Sequence, residues 1–177
     1  MDPILIYAAT ASLAVILLLG ALQKLRHFLL FESAVSGYAL LPPGGVRLFS
    51  VLFLGAELLA GLMLLVPSAR MAGAVLALAV LLCATSGIVI NLLRGHRDID
   101  CGCGGFSQKA GGLSGWLVVR NMVLAGLSAP VLLAMHSSGR PLSLMDGLTF
   151  VGATLAVLGL YFTFNLLIDT HTRFQEI

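Results

Sequence analysis

The chain has 177 residues, of which 59% are hydrophobic and only 10% charged, and its formal net charge is +2. About a quarter of the residues in a soluble domain are charged, so this composition excludes a water-soluble enzyme, a disordered chain and a nucleic-acid binder with a basic face. Three cysteines cannot build a disulfide scaffold, and 20 glycines and 6 prolines fall short of a collagen-like bias.

The remaining class is a polytopic, all-α membrane protein of a single domain. In chain order, five apolar stretches approach the roughly 20 residues that a bilayer crossing needs. They are Ile4–Leu22, Leu48–Val66, Met71–Leu93, Trp116–Met135 and Leu148–Ile168. The runs are continuous rather than alternating, which argues against a barrel, and lipid leaves no free backbone group satisfied outside a helix. The sequence therefore predicts a bundle of five transmembrane helices, or four with a fifth at the periphery. The first stretch has no basic segment before it, since Asp2 precedes it, and Lys24 and Arg26 follow it. It reads as a retained helix rather than a signal peptide.

Short turns join most of the stretches, as at Pro67-Ser-Ala-Arg70 and Ser137-Ser-Gly-Arg-Pro141. Two loops are longer, 23–47 and 94–115. An odd number of crossings puts the two ends of the chain on opposite sides. Lys24, Arg26, Arg47, Arg94, Arg97, Lys109 and Arg173 then share one side, with Arg120 just inside it. Arg70 and Arg140 fall on the other. Basic residues favour the cytoplasm, so the expected N-terminus is outside and the 94–115 loop is cytoplasmic.

Within the second stretch stands Glu57, far from either end. A carboxylate at that depth is protonated or paired. Lys24 and Arg120 are the available cations. The readings are a structural clasp that fixes helix order, a proton or substrate site, or a protonated group bonded to backbone. Cys83 lies in a small-residue series, Ala79-x-x-x-Cys83-x-x-x-Gly87, and Gly152-x-x-x-Ala156 repeats the spacing. Both series read as helix-packing stripes. His27, His136 and His171 are dispersed near helix ends and read as interfacial.

The segment richest in chemistry is Asn91-Leu-Leu-Arg94-Gly-His96-Arg97-Asp98-Ile-Asp100-Cys101-Gly-Cys103-Gly-Gly. Two cysteines one residue apart can close a small, strained disulfide, and strain makes such a bond more oxidising. The intervening and following glycines permit the tight backbone. Arg94 and Arg97 favour a thiolate, whereas Asp98 and Asp100 oppose it. Three roles fit the pair Cys101 and Cys103: thiol–disulfide exchange, metal binding together with His96 or Asp100, or an inert structural role. No cofactor is expected from the residues themselves; a quinone or a metal stays open.

Several motifs resemble those of the MauE-type proteins of methylamine utilisation, part of a wider DoxX-like group of redox-associated membrane proteins. They are Lys24-Leu-Arg26, Phe31, Tyr38-Ala-Leu-Leu-Pro42, the acidic Glu57, the run Asn91-Leu-Leu-Arg-Gly-x-Arg-Asp-Ile-Asp-Cys-Gly-Cys and Arg120-Asn121. The likeness extends over essentially the whole chain. Where such proteins often carry Phe-Gly after the second cysteine, this chain has Gly104-Gly105-Phe106. The resemblance implies a biogenesis factor of the bacterial inner membrane, acting with a thioredoxin-like MauD-type partner. Their shared object would be the disulfide-rich, periplasmic small subunit of methylamine dehydrogenase, through its processing, export or disulfide formation. Cys101 and Cys103 match the family's paired cysteines. A periplasmic object and a cytoplasmic cysteine loop conflict. Either the orientation is inverted, or the cysteines collect reducing equivalents inside and hand them outward, which is the reading preferred here. The rivals are a metal-handling membrane protein using the same loop, a scaffold without redox chemistry and a DoxX-like oxidase-associated subunit. Whether the chain is an enzyme stays open between thiol–disulfide exchange and a purely biogenetic role.

Overall fold

The computed structural model describes residues 3–95, 115–133 and 144–174. All regular structure among them is helical. The elements are α1 (Pro3–Arg26), α2 (Phe28–Gly37), α3 (Pro43–Leu65), α4 (Arg70–Leu93), α5 (Gly115–Gly126), α6 (Ala129–Leu133) and α7 (Leu144–Phe174). Five helical spans are long and apolar enough to cross a membrane, with α5 and α6 together forming the fourth. The helices α1 and α7 extend past both ends of their apolar stretches, because a helix already satisfies its own backbone and polar residues can continue it into the headgroup region.

The first span is the core. Leu13, Ala14 and Leu17 of α1 are almost completely buried, and they cluster with Ala60 and Leu64 of α3 and Ala74, Ala77 and Leu81 of α4. Close approach depends on two glycines. A Cβ at Gly61 would stand 2.8 Å from the Leu18 side chain, and one at Gly73 would stand 2.8 Å from the Leu64 backbone nitrogen. Small residues let helices pack where lipid offers no hydrophobic drive. Hydroxyls inside the spans bond back to their own helix: Thr10 to the Ile6 carbonyl, Ser12 to Ala8, Ser50 to Val46 and Thr85 to Leu81. Each buried hydroxyl is thereby satisfied without a partner on another helix.

The small-residue series that were expected to pack do not. Ala79 and Cys83 face outward, and of that series only Gly87 is buried; Gly152 and Ala156 are exposed as well. The α4 packing face runs instead through Gly73, Ala74, Ala77 and Leu81. A period of four marks one face of a helix without saying which face meets a neighbour.

Two further features differ from the sequence reading. The 23–47 connection contains a helix, α2, whose Phe31 and Val35 are buried against Val46 of α3 while Leu29 and Leu30 stand 79% and 68% exposed. The fourth span is broken after Gly126. Pro130 has no N–H to donate, so the chain tightens into a turn at Leu127–Ser128, and Ser128 accepts from both Val131 and Leu132 as the helix restarts. The fifth span, in α7, is peripheral: no residue of its most apolar stretch is buried. It leans on α1 and, through side chains described below, on α5.

Candidate functional site

Lys24, Asn91, Arg120, Asn121 and Asn165 lie toward one end of the bundle, the end where α4 stops and α5 starts. Ile88 of α4 and Leu117 of α5 pack together there with Leu92, Tyr38 and Phe164. Tyr38 arrives from the end of α2 and lays its ring 3.5 Å from where a Cβ on Gly87 would be.

Lys24 and Glu57 meet across α1 and α3. The Lys24 ammonium donates to both carboxylate oxygens of Glu57 at 2.8 Å, and both residues are more than nine-tenths buried. Phe31 and Phe53 present their rings to the same ammonium at 5.7 and 5.8 Å. Gly20 makes the room, since a Cβ there would lie 3.1 Å from Glu57 Oε1. Of the two cations considered for Glu57, the structure chooses Lys24. Arg120 is elsewhere.

Arg120 is 7% exposed, and among the described residues it bonds only to amides. Its Nη1 donates to Asn165 Oδ1 of α7 at 2.9 Å, while Nε and Nη2 share Asn121 Oδ1 at 3.4 and 3.3 Å. Asn165 is itself fixed, its Nδ2 donating to the Tyr161 carbonyl at 2.8 Å. One turn back along α5, Trp116 meets Phe164 edge to face, ring centres 6.2 Å apart. Asn91, wholly buried in the last turn of α4, donates to the Gly87 carbonyl, and its Oδ1 accepts from none of the described residues.

The last turn of α4 leads out of this end. Arg94 is exposed, and Gly95 takes a φ of 77° while its N–H bonds the Leu92 carbonyl. Such a left-handed glycine ends a helix and turns the chain away. The described chain resumes at Gly115, and residues 96–114 stand between. His96, Arg97, Asp98, Asp100, Cys101 and Cys103 all fall among these and lie outside the described residues, as do His136 and Lys109. Among the described residues no group of three His, Cys, Asp or Glu side chains is placed to hold a metal ion.

The sequence reading named Lys24, Glu57 and Arg120, and it carried Phe31 and Asn91 only inside family-like motifs; it did not name Asn165, Phe53 or Gly20. An asparagine inside a span is costly unless bonded, so Asn165 carried a readable signal. Nothing in the sequence couples Gly20 to a carboxylate on another helix.

Comparison with known proteins adds the following. The family described as methylamine utilisation protein MauE matches residues 2–135. A methylamine utilization protein MauE of Paracoccus denitrificans is 32% identical over 94% of this chain and 88% of its own length. Its namesake in Methylophilus methylotrophus is 31% identical over 94% and 87%, and that of Paracoccus versutus is 32% identical over 94% and 88%. No solved structure matches the chain.

Proposed function

The chain belongs to the methylamine utilisation protein MauE family, and from that premise we propose that it is an inner-membrane accessory protein for maturing the small subunit of methylamine dehydrogenase. Its work would be thiol–disulfide exchange by Cys101 and Cys103 with a thioredoxin-like partner. The observation that carries the reading is the Cys101-Gly-Cys103 pair in a chain that matches its Paracoccus denitrificans relative over 94% of its length. Family membership supports a role in methylamine utilisation, and the five apolar spans support a multi-pass membrane protein. The exchange step and the partners are the further content of the proposal.

In that step one cysteine thiolate attacks a disulfide of the partner, giving a mixed disulfide and releasing one partner thiolate. The second cysteine then attacks its neighbour's sulfur. The products are a Cys101–Cys103 disulfide and a partner dithiol, and the same steps run backward when the potentials are reversed. A strained ring between cysteines one residue apart lowers the barrier to that return.

Changing Cys103→Ser leaves Cys101 able to form the mixed disulfide but unable to resolve it. We expect this variant, or the reciprocal Cys101→Ser, to accumulate a reductant-sensitive adduct with the thioredoxin-like protein on non-reducing gels of cells growing on methylamine. If neither variant yields an adduct, exchange is not the function of the pair.

Orientation is part of the proposal. Among the described residues Arg26 at the end of α1, Arg47 near the start of α3 and Arg94 just past α4 are exposed at the α4–α5 end, whereas Arg70 lies at the opposite end with its guanidinium 4.8 Å from the centre of the Tyr7 ring. The basic-residue rule assigns the first end to the cytoplasm. An impermeant maleimide is then expected to label Cys101 and Cys103 only after cells are permeabilised. Labelling of intact cells would invert the orientation and put the pair in the same compartment as the maturing subunit.

A further inference from the structure

We propose that Arg120, with Asn121 and Asn165, forms a binding site for the phosphate group of an anionic phospholipid between α5 and α7. The proposal does not depend on the cysteine chemistry. It begins with a charge that the described residues leave unneutralised. A guanidinium offers five N–H donors. The three bonds to Asn121 and Asn165 use three of them, and all end on neutral amide oxygens. No described carboxylate lies within ion-pair distance of Arg120. Glu57, whose two oxygens both accept from Lys24, is committed elsewhere. A cation inside a span needs an anion or water, and a bilayer supplies little water at that depth.

What the bilayer does supply is the phosphate diester. Two N–H groups from which no described residue accepts, on one planar guanidinium, match two phosphate oxygens, the geometry in which arginine is strongest. The level is right as well. Arg120 lies five residues beyond Gly115, roughly 7–8 Å into the helix at 1.5 Å per residue. Trp116 stands one turn nearer the end, half-exposed, where tryptophan marks the boundary between acyl chains and headgroups.

Access is from lipid. On α5, Val119, Met122 and Val123 are exposed, and on α7 so are Leu160, Leu166 and Leu167, which bracket Asn165. A lipid can approach this interface sideways, whereas a free anion would have to cross an apolar surface. Arg26, Arg47 and Arg94 near the same end attract anionic headgroups to it. Seated there, the phosphate would act as a third element between α5 and α7, beside the Arg120–Asn165 bond and the Trp116–Phe164 contact. It would thereby steady the helix that receives the cysteine segment.

The test uses the full chain in nanodiscs of phosphatidylcholine, alone or with phosphatidylglycerol. Bound lipid is counted by native mass spectrometry, and Trp116 serves as the reporter because it is the chain's one tryptophan. The wild type is expected to retain phosphatidylglycerol and to show a saturable change in Trp116 emission as its fraction rises. Arg120→Gln should weaken retention about tenfold or more, the loss of a two-pronged charged contact. Asn165→Ala, which keeps the charge and loosens its aim, should weaken it less and serves if Arg120→Gln does not fold. Inorganic phosphate added at millimolar concentration should reproduce neither signal. Equal retention by wild type and both variants overturns the proposal, and so does an emission change that inorganic phosphate reproduces. A third adverse result is a wild type that does not retain phosphatidylglycerol while the variant with Asp98→Asn and Asp100→Asn does. Arg120 would then be neutralised by the chain's own loop.

Discussion

Replacing Cys101 and Cys103 together by serine is expected to reduce the yield of mature methylamine dehydrogenase to that of cells lacking the chain, while the protein itself still accumulates in the membrane. Serine keeps the size and polarity of cysteine but cannot form a sulfur–sulfur bond, so every step of the exchange is lost at once. The bundle should be indifferent. The contacts that close the α4–α5 end are Ile88 with Leu117, Tyr38 with Gly87 and Arg120 with Asn165, and none involves the substituted positions. The measurement is active dehydrogenase per cell, set against immunoblot of the membrane fraction. Full maturation by the double variant would make the chain a scaffold and remove the exchange reading. Loss of maturation together with loss of a stoichiometric bound metal would favour the metal-handling rival, so metal content of the purified wild type is measured alongside.

Breaking the Lys24–Glu57 pair is expected to be the most damaging single change to the fold. Glu57→Ala would strand the Lys24 ammonium between Phe31, Phe53 and Gly20 with no anion and no water. Removing one partner of a buried pair costs on the order of 3–5 kcal/mol. Lys24→Met is milder in shape but strands the carboxylate in the same way. Removing both charges is different. Lys24→Met with Glu57→Leu leaves no buried ion, and such replacements are often neutral or stabilising. The predicted pattern is therefore strongly non-additive: either single variant melts well below the wild type in detergent, and the double variant recovers most of the loss. Additive losses would mean that the pair contributes only packing.

The same variants separate structure from function. The clasp reading, which the two equal 2.8 Å bonds and the flanking rings favour, expects the double variant to mature the dehydrogenase normally. Glu57→Gln keeps the shape and removes the charge. Normal assembly of this variant without maturation would instead make Glu57 a proton or substrate site.

Particular residues show how far the sequence could be read. Composition alone fixes the solvent: with so few charges, the surface must face lipid, and lipid permits only helices that satisfy their own backbone. The number of spans follows from run length. Glu57 was legible as a residue needing a partner because an isolated charge in hydrocarbon is intolerable. Which partner it takes was not legible. Lys24 and Arg120 lie toward the same end, and the choice between them depends on the rotation of α1 against α3, set by Gly20 and Gly61 where the helices touch. The small-residue series at Cys83 and Gly152 misled for the same reason. Spacing of four identifies a stripe, and only the neighbours decide whether it meets protein or lipid. The α2 helix escaped notice because it is too short to cross, and its apolar residues looked like loop adjoining a span.

The sequence by itself determined that this chain is a membrane protein with five spans, and that a Cys101-Gly-Cys103 pair stands between the third and fourth of them. Those properties depend on hydrophobicity along the chain and on local spacing, which are written in one dimension. The tertiary structure alone decided that Lys24 neutralises Glu57, that Arg120 is left to Asn121 and Asn165, that Cys83 faces outward and that α7 stands at the periphery. Each of these depends on how one helix is turned toward another, and that angle is set by the summed packing of residues far apart in sequence.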